Sequence, residues 1–428
     1  MPNSVREHTR RRFVKLGGLV GVTALAGCAG GIPGGDSGSE GNGTDESGSG
    51  EWPMFQYDAG NTGFVPSGTG PSGDVIEQRQ FDVGVIDTPP RAGDGILYVP
   101  GNDLVALAPD GTEQWSVGRT LPPLTIGEKY VYTRDQTDRT IQIISREDGT
   151  ILEDNIPGDR VSDIVFVDGT VYIGYERESP RILSARSQPG EILWEFDIEP
   201  DQQPERVAEY AAIGPVVSDG VVYVLGGIQT YEEASPDWTV YAISASDGSQ
   251  QWSRSIAGRP TFRPTVTNET VYVSKETGPH DTTLQALSTE DGTEQWRVGM
   301  ERGKLSTVAV AQDTLYVTAD AYEHREEFES AAVYALSISD GTERWSTEME
   351  LRLIDSWIYG VPIVVDGTLY LTGTDRTFGE RGRLIGLSTS DGSERWRIET
   401  DSRLSSSPVI SGGNIYVGSE DGKLRMYS

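Results

Sequence analysis

The chain has few of the residues that most often carry catalysis or bind metals. Among its 428 residues there is one cysteine, Cys28, and there are three histidines, His8, His280 and His324. No histidine stands in a His-Glu-x-x-His arrangement, so the sequence predicts no metal site of this type. The lone cysteine has an export-related assignment, given below, and this leaves no thiol for a cysteine nucleophile.

Positive charge is also scarce. Asp and Glu number 66 against 35 Lys and Arg, which gives a net charge of −31, and only five of the basic residues are lysines. A field of this sign repels nucleic acids and anionic lipid surfaces, which argues against a nucleic-acid partner. An acidic, lysine-poor composition resembles that of proteins from halophilic archaea, where concentrated salt screens the self-repulsion. An acidic extracellular protein without that habitat is the alternative.

The N-terminus has no apolar run long enough to cross a bilayer as a mature helix. The run from Leu16 to Gly27 has about a dozen residues, whereas a span needs roughly 20. The residues that flank this run form a recognisable order: Arg10, Arg11, Phe13 and Lys15 before it, and Leu25-Ala26-Gly27-Cys28 at its end. This order resembles a twin-arginine export signal followed by a lipoprotein cleavage box, with lipid attachment at Cys28. A basic tail with a chance cysteine is the alternative.

Three segments follow from composition. Residues 1–28 form the predicted signal peptide with its cleavage box. Residues 29–50 contain almost only Gly, Ser, Asp, Glu, Asn and Thr, which predicts a flexible and self-repelling tether. Residues 51–428 form the folded domain. A lipid on Cys28 would hold this domain at the outer side of the cell membrane.

The folded domain repeats a short strand that contains a tyrosine. Each copy follows a turn-like cluster, and the copies are spaced by roughly 34 to 54 residues. The tyrosines are Tyr98, Tyr132, Tyr172, Tyr223, Tyr272, Tyr316, Tyr370 and Tyr416. A repeat made only of strand and turn signals indicates stacked β-units, because no single unit can bury its own apolar face.

A second motif follows most tyrosine strands and reads Ala-Leu-Ser-x-x-Asp-Gly-x-x-x-Trp in its fullest form. The Asp-Gly pair predicts a tight reversal with positive φ, and the tryptophan offers a flat face that fills the wedge between neighbouring units. The predicted docking residues are Trp115, Trp194, Trp252, Trp296, Trp345 and Trp396. The second copy differs, since Gly149 is followed at this offset by Glu153.

Each unit therefore has four strands, which predicts an all-β, eight-bladed propeller of four-stranded blades. The chain ends in Leu424-Arg425-Met426-Tyr427-Ser428, which matches a third strand and leaves the fourth strand of the last blade missing. Residues Gly73 to Gly84 supply a spare strand, in which Glu77-Gln78 echoes Glu113-Gln114. We therefore predict that an N-terminal strand completes the last blade and closes the ring.

The repeats resemble those of pyrroloquinoline-quinone-type (PQQ-like) repeat propellers, including the BamB-like lipoproteins. The opening of the domain, from Trp52-Pro53-Met54-Phe55-Gln56-Tyr57 to Asp58-Ala59-Gly60-Asn61-Thr62-Gly63, supports the same resemblance. The match covers about residues 51 to 428. The competing WD40 family is disfavoured because the chain has no Gly-His and Trp-Asp alternation.

The resemblance includes quinone-dependent dehydrogenases, which typically carry a pair of adjacent cysteines beside the cofactor and an acidic and amide set that holds calcium. This chain lacks the cysteine pair, because its one cysteine is assigned to lipid. We therefore predict no PQQ and no calcium. Adjacent carboxylates such as Glu232-Glu233 and Glu326-Glu327 are interpreted as solvated surface in so acidic a chain.

The units differ in the distance from tyrosine to the next turn glycine, which is longest in blades four to seven. These insertions are predicted to lie on one face of the disc, opposite the Asp-Gly turns. They contain aromatic and charged residues of the kind found in recognition surfaces. The candidate binding face consists of Tyr231, Trp238, His280, Tyr322, His324, Arg325, Trp357, Arg376 and Phe378. Aromatics folded back onto the blades are the alternative.

The sequence thus predicts an exported, lipid-anchored propeller that serves as a non-catalytic binding or assembly scaffold. Its partner would be an extracellular or membrane protein or a glycan, and its location the outer face of the cell membrane. The alternative is a quinone- or metal-dependent dehydrogenase that uses the central channel of the propeller.

Overall fold

The residues that the structure describes form eight sheets, antiparallel except for one short parallel strand, and no helix. The computed structural model describes residues 14–15, 52–66, 70–71, 75–84, 86, 88–118, 120–135, 140–152, 156, 161–176, 180–198, 207–230, 237–278, 281–300, 303–324, 327–349, 351–353, 361–375 and 381–428. Nothing in this part of the chain is a helix capable of crossing a membrane. The sheets are the eight blades of a propeller, as predicted.

Each blade has four strands, and in all but the last blade they follow chain order from the channel outwards. The first strands are Arg91–Gly93, Thr120–Ile126, Val161–Val167, Val207–Ser218, Thr265–Val266, Gly303–Ala311, Ile363–Val365 and Val409–Ser411. The second strands are Ile96–Pro100, Tyr130–Asp135, Thr170–Tyr175, Val221–Thr230, Thr270–Glu276, Thr314–His324, Thr368–Asp375 and Asn414–Ser419. Every one of the eight tyrosines lies in a second strand.

The outer half of each blade consists of the third and fourth strands. The third strands are Leu104–Leu107, Ile141–Ser145, Arg181–Ser187, Asp237–Ser244, Thr282–Ser288, Glu327–Ser337, Gly382–Ser388 and Lys423–Tyr427. The fourth strands are Glu113–Val117, Ile151–Leu152, Ile192–Asp197, Gln250–Ser255, Glu294–Met300, Glu343–Met349, Glu394–Thr400 and Glu77–Asp82. Three short strands lie outside this scheme: Val14–Lys15 on the edge of blade 5, Phe64–Val65 parallel to the first strand of blade 7, and Leu351–Leu353 beside its second strand.

The ring is closed by strand Glu77–Asp82, which pairs antiparallel with the C-terminal strand Lys423–Tyr427. Glu77 lies opposite Tyr427, as Glu113 lies opposite Leu107 in blade 1. Arg425 is 8% exposed and forms an ion pair with Glu77 at 2.9 Å. The predicted closure is therefore confirmed, and an ion pair between the buried Arg425 and the exposed Glu77 accompanies it.

Neighbouring blades are joined by the repeated tryptophans. In each of six blades the tryptophan packs on the tyrosine of its own blade, with ring centroids 5.6–6.0 Å apart: Tyr98–Trp115, Tyr172–Trp194, Tyr223–Trp252, Tyr272–Trp296, Tyr316–Trp345 and Tyr370–Trp396. Five indole Nε1 atoms donate to a backbone carbonyl of the next blade at 2.8–3.0 Å: those of Trp115, Trp194, Trp252, Trp296 and Trp345. The tryptophans thus bridge two blades, as predicted.

The turn glycine of the following blade completes this contact. Gly341, for example, has a φ of +71°, and a Cβ added there would lie 2.7 Å from the ring of Trp296 in the preceding blade. The same contact joins Gly149 to Trp115, Gly248 to Trp194, Gly292 to Trp252 and Gly392 to Trp345. The Asp-Gly pair therefore does more than turn the chain, because only glycine lets the indole face lie against the turn.

The insertions predicted in blades 4 and 6 are in part lengthened hairpins. The second strand runs to Thr230 in blade 4 and to His324 in blade 6, and the third strands begin at Asp237 and Glu327. Much of what the sequence counts as loop is therefore paired backbone. The reason is that these segments keep forming inter-strand hydrogen bonds beyond the length of the other blades.

Candidate functional site

Residues 52–65, which we call the plug, run along the innermost strands at the centre of the propeller. The first strands of six different blades donate backbone hydrogen bonds to this one segment. Only at the axis, where the innermost strands converge, can fourteen consecutive residues reach so many blades. The opening motif of the domain therefore occupies the channel of its own propeller.

The plug follows the blades around the ring in order. The donors occupy the same position in each blade. Each donor residue lies opposite the residue of the second strand that comes just before the repeated tyrosine. The bonds measure 2.7–2.9 Å: Ala92 N to Trp52 O, Ile126 N to Pro53 O, Val217 N to Ala59 O, Val266 N to Gly60 O, Val310 N to Thr62 O and Val364 N to Gly63 O. Equivalent N–H groups of six blades thus hold the plug by its backbone carbonyls.

Two glycines let the plug approach the inner strands so closely. A Cβ on Gly60 would lie 2.6 Å from the carbonyl oxygen of Val266, and Gly63 has a φ of +62°. Side-chain amides add two contacts, from Gln56 Nε2 to Val308 O at 2.9 Å and from Asn61 Nδ2 to Pro264 O at 3.3 Å. The glycine, glutamine and asparagine of the opening motif therefore have structural reasons to be there.

Asp58 is the acidic residue of the plug. Its carboxylate accepts hydrogen bonds from the backbone N–H of Thr62, at 2.8 Å, and from the Thr62 hydroxyl. Burial nevertheless raises the pKa of Asp58 from 3.8 to about 6, because desolvation outweighs these bonds. The plug is thus easier to form when this carboxyl group is protonated.

This shift predicts a pH-dependent gain from Asp58→Asn. Because the folded-state pKa lies above the unfolded value, wild-type stability falls as the pH rises from about 4 through about 6. The amide cannot ionise and keeps an acceptor for Thr62, so at pH 7.5 the variant should be more stable by up to about 3 kcal/mol. At pH 4 the difference should disappear. Urea unfolding at both pH values measures it.

Asp391→Asn is the matched control. Hydrogen bonds from Ser393 hold the pKa of this turn aspartate below its ordinary value, which is the opposite direction. This variant should therefore show no gain at pH 7.5. The raised pKa of Asp58 would be contradicted if the difference in unfolding free energy between the wild type and Asp58→Asn were the same at both pH values.

A cavity of about 190 Å³ lies beside the plug where the chain enters the first strands. It is lined by Phe55 of the plug, by Thr88, Pro89 and Arg91 before and in blade 1, by Pro122, Pro123 and Arg134 of blade 2, by Val161, Ser162 and Asp163 of blade 3, and by Arg263 from the crossing into blade 5. Three arginines thus meet one aspartate in a strongly acidic chain. We call this space the arginine cavity.

Arg91 is held rigidly in the wall of the arginine cavity. It is 3% exposed, and its Nε and Nη1 atoms donate to the carbonyl oxygens of Leu124, Pro89 and Pro90 at 2.9–3.0 Å. Desolvation lowers the pKa of Arg91 to about 10, and the attraction of Asp163 opposes this. Arg91 is therefore still charged at neutral pH.

Arg263, just before the first strand of blade 5, reaches blade 3. Its Nη1 lies 3.0 Å from Asp163 Oδ2, and its guanidinium stacks on the Phe55 ring with 4.4 Å to the centroid. Burial raises the pKa of Asp163, although Arg263 and Arg91 both act to lower it. The plug and two distant blades are thus joined by one cation, because Arg263 contacts both Phe55 and Asp163.

A divalent cation does not fit the arginine cavity. Asp163 is the only carboxylate in its lining, and Arg263 already neutralises it. Two further guanidinium groups would repel a metal ion at this distance. Elsewhere in the described part of the chain, no three His, Cys, Asp or Glu side chains lie together as metal ligands. We derive no calcium-dependent step for this protein.

The predicted binding face is mostly outside the described side chains. Tyr231, His280, Arg325, Trp357, Arg376 and Phe378 lie outside the described residues, and for Tyr322 and His324 the structure gives only the backbone of the blade 6 hairpin. Trp238 is described, and it is 5% exposed. It lies opposite Gly227 in the extended hairpin of blade 4 and packs in the apolar core, so its side chain is not part of an exposed face.

The export residues Arg10, Arg11, Phe13 and Cys28 lie outside the described residues, and of Lys15 only the backbone is described. Their assignment stays a prediction. The sequence reading did not identify Arg91, Asp163 or Arg263. The sequence did contain a pattern that marks two of these residues. Pro90-Arg91 and Arg263-Pro264 each place an arginine beside a proline near the start of a first strand.

Comparison with known proteins agrees with the propeller. A family profile described as outer membrane protein assembly factor BamB matches residues 101–278, 179–304 and 280–428. No curated protein sequence matches the chain.

Solved structures share the fold. BamB from Moraxella catarrhalis superposes with a TM-score of 0.55 at 14% identity, over 83% of this chain and 100% of that one. A quinohemoprotein alcohol dehydrogenase from Pseudomonas putida gives 0.63 at 12% identity, over 89% and 80% of the two chains. A similar enzyme from Comamonas testosteroni gives 0.62 at 11% identity, over 88% and 80%. Since the family profile covers most of the chain, this protein belongs to the BamB family of PQQ-like repeat propellers.

Proposed function

We propose that this protein is an exported, lipid-anchored propeller that acts as a non-catalytic binding or assembly scaffold at the outer face of the cell membrane. The observation that carries the proposal is the plug. Its backbone occupies the channel and accepts one hydrogen bond from each of six blades. The plug thus occupies part of the space that a channel-bound quinone or metal would need.

The family supports the same role. The matching profile is described as an assembly factor, and BamB of Moraxella catarrhalis has the same fold. The predicted signal and cleavage box would leave Cys28 as the lipid-bearing N-terminus, and residues 29–50 would tether the propeller to the membrane. We propose that the partner is an extracellular or membrane protein or a glycan, bound at the insertions of blades 4 to 7.

The anchor and the partner can be tested together in the native host. Cys28→Ser should move the protein from the membrane fraction to the soluble or medium fraction, because the lipid is lost. The wild-type protein, which keeps Cys28, should recover a partner when it is cross-linked in intact cells and purified at the salt concentration of the host. Alanine at Tyr231, Arg325 and Arg376 should abolish that recovery.

The matched control places alanine at Glu128, Glu269 and Glu290, which are exposed on the opposite, turn-bearing face. This variant should recover the partner as well as the wild type does. Equal loss in both variants, or membrane retention of Cys28→Ser, would contradict the proposal. Dye reduction by the purified protein on addition of PQQ and calcium would favour the dehydrogenase alternative instead.

A further inference from the structure

We propose that the propeller faces the membrane with its turn-bearing face and presents the insertions of blades 4 to 7 on the side away from the lipid. This inference rests on the lipid anchor proposed above and adds an orientation to it. The turn-bearing face carries the turns between first and second strands, and the crossings from one blade to the next lie on the opposite face. The direction in which the plug enters and leaves the centre of the ring carries the inference.

The plug enters from the turn-bearing face. Trp52 and Ala92 exchange both backbone hydrogen bonds, at 2.6 and 2.9 Å, and form an antiparallel pair. The first strand of blade 1, Arg91–Gly93, runs towards the turn that begins at Asp94. The chain at Trp52 therefore runs away from that turn. The residues before Trp52 are thus joined to the plug on the turn-bearing side.

The plug also leaves on this side. Phe64–Val65 pairs parallel with the first strand of blade 7, Ile363–Val365, and therefore runs towards the turn that begins at Asp366. The next strand to join a blade is Glu77–Asp82, whose first residue lies opposite Tyr427, the last residue of a third strand. Third strands end at the turn-bearing face. Both ends of the plug thus open to one face.

The length of the tether makes this exit point decisive. Residues 29–50, taken as the Gly- and Ser-rich coil that their composition predicts, have a root-mean-square reach of about 25 Å. To bring the opposite face to the lipid, the tether would have to pass from the axis over a four-stranded blade, about 15 Å, and down its outer strand, about 20 Å. This path exceeds the average reach, so the turn-bearing face lies nearer the membrane. A partner bound at the insertions is then met on the side away from the lipid.

Glu269 and Glu276 provide a matched pair for the test. Both are exposed, and they lie at opposite ends of the second strand of blade 5, about 20 Å apart. Glu269 is on the turn-bearing face and Glu276 on the other. The chain has no cysteine besides Cys28, whose thiol would carry the lipid, so Glu269→Cys or Glu276→Cys adds the only free thiol.

Energy transfer to the membrane measures the orientation. Each full-length lipidated variant is labelled at its new cysteine with a donor dye and bound to phosphatidylcholine vesicles that contain acceptor-labelled headgroups. Neutral lipid is used because the exposed aspartates of the turns would be repelled by an anionic surface. Transfer should be about twofold or more stronger from Glu269→Cys than from Glu276→Cys, because the two sites differ in height by about 20 Å. Deletion of residues 31–48 should strengthen transfer from Glu269→Cys and leave Glu276→Cys the weaker.

Equal transfer from the two variants on vesicles, or stronger transfer from Glu276→Cys, would overturn the orientation and leave the anchor intact. Failure of both variants to bind vesicles would instead contradict the anchor, and the orientation with it. Cys28→Ser is the control for anchoring and should show no transfer from either site. Melting curves establish that each variant is folded.

The exit point can also be measured without the lipid. In the Cys28→Ser background, a spin label at Ser49→Cys is only three residues from Trp52, which limits its distance from the plug to about 10 Å. Pulsed electron paramagnetic resonance should therefore give a shorter distance from this label to one at Glu269→Cys than to one at Glu276→Cys. The reverse order would overturn the proposal whether or not the protein carries a lipid.

Discussion

Trp296→Ala should lower the free energy of unfolding by about 3–5 kcal/mol, the range for truncating a large buried aromatic side chain. Trp296 is 7% exposed and packs on Tyr272 within its own blade. Its indole nitrogen donates to the carbonyl of Ile338 in the next blade at 2.8 Å. The substitution would therefore open a cavity between two blades and leave that carbonyl without its donor. Urea unfolding followed by fluorescence measures the loss.

A double-mutant cycle with Gly341 would show that the loss comes from the contact between blades. Gly341→Ala should be strongly destabilising in the wild type, because the new Cβ would meet the Trp296 ring. In the Trp296→Ala background the clash with the indole is gone, so the substitution should cost less: the contact with Val298 Cγ2 at 2.8 Å remains, together with the cost of a positive φ, about 1–2 kcal/mol. Additive effects of the two substitutions would contradict the contact.

Ile192→Ala is the surface control for this experiment. Ile192 is 54% exposed on the fourth strand of blade 3, so its truncation should change stability by less than about 0.5 kcal/mol. A loss as large as that of Trp296→Ala would mean that exposed edge residues contribute as much to the free energy of unfolding as the tryptophans packed between blades.

A disulfide across the ring closure should stabilise the protein by about 6 kcal/mol in the chain-entropy model, because it joins residues almost a whole domain apart. Asp82 and Lys423 lie directly opposite each other in the closing pair of strands. Opposed residues in an antiparallel pair have the Cβ separation that a disulfide needs. Asp82→Cys with Lys423→Cys, in a Cys28→Ser background, leaves these two as the only thiols.

Melting with and without a thiol reductant measures this effect. The control pair is Arg383→Cys with Glu399→Cys, which are also opposite each other but within blade 7. This shorter loop should contribute about 3 kcal/mol. Equal gains from the two disulfides, or no cross-link at the closing strands, would argue against closure of the ring by strand Glu77–Asp82.

The closing strand also shows how a departure from the repeat is compensated. Arg79 lies opposite Met426, the position at which Trp296 lies opposite Ala286 in blade 5. Its Nη1 donates to the carbonyl of Asp110 in blade 1 at 2.6 Å, and Phe81 lies against the turn glycine Gly111. An arginine and a phenylalanine thus share the two contacts that one tryptophan makes elsewhere.

The number of blades, their four strands, the tryptophan wedges and the closing strand could all be predicted from the sequence. Each of these features repeats at a fixed spacing, and the turn and strand preferences that produce them act within a few residues. Glu77 could be matched to its counterparts because even the displaced strand keeps the pattern. Trp238 shows where such reasoning fails, since an aromatic residue in a presumed loop proved to lie in a longer strand opposite Gly227.

The plug and the arginine cavity could be seen only in the tertiary structure. Gln56 and Val308 are 252 residues apart when they form their hydrogen bond, and Arg263 beside blade 5 pairs with Asp163 of blade 3. No local preference encodes such contacts, because they exist only when eight blades close around one axis. By itself the sequence determined the repeating scaffold and predicted export to the membrane. The closed ring decided that residues 52–65 lie along the innermost strands and that Arg91, Arg134 and Arg263 line one cavity.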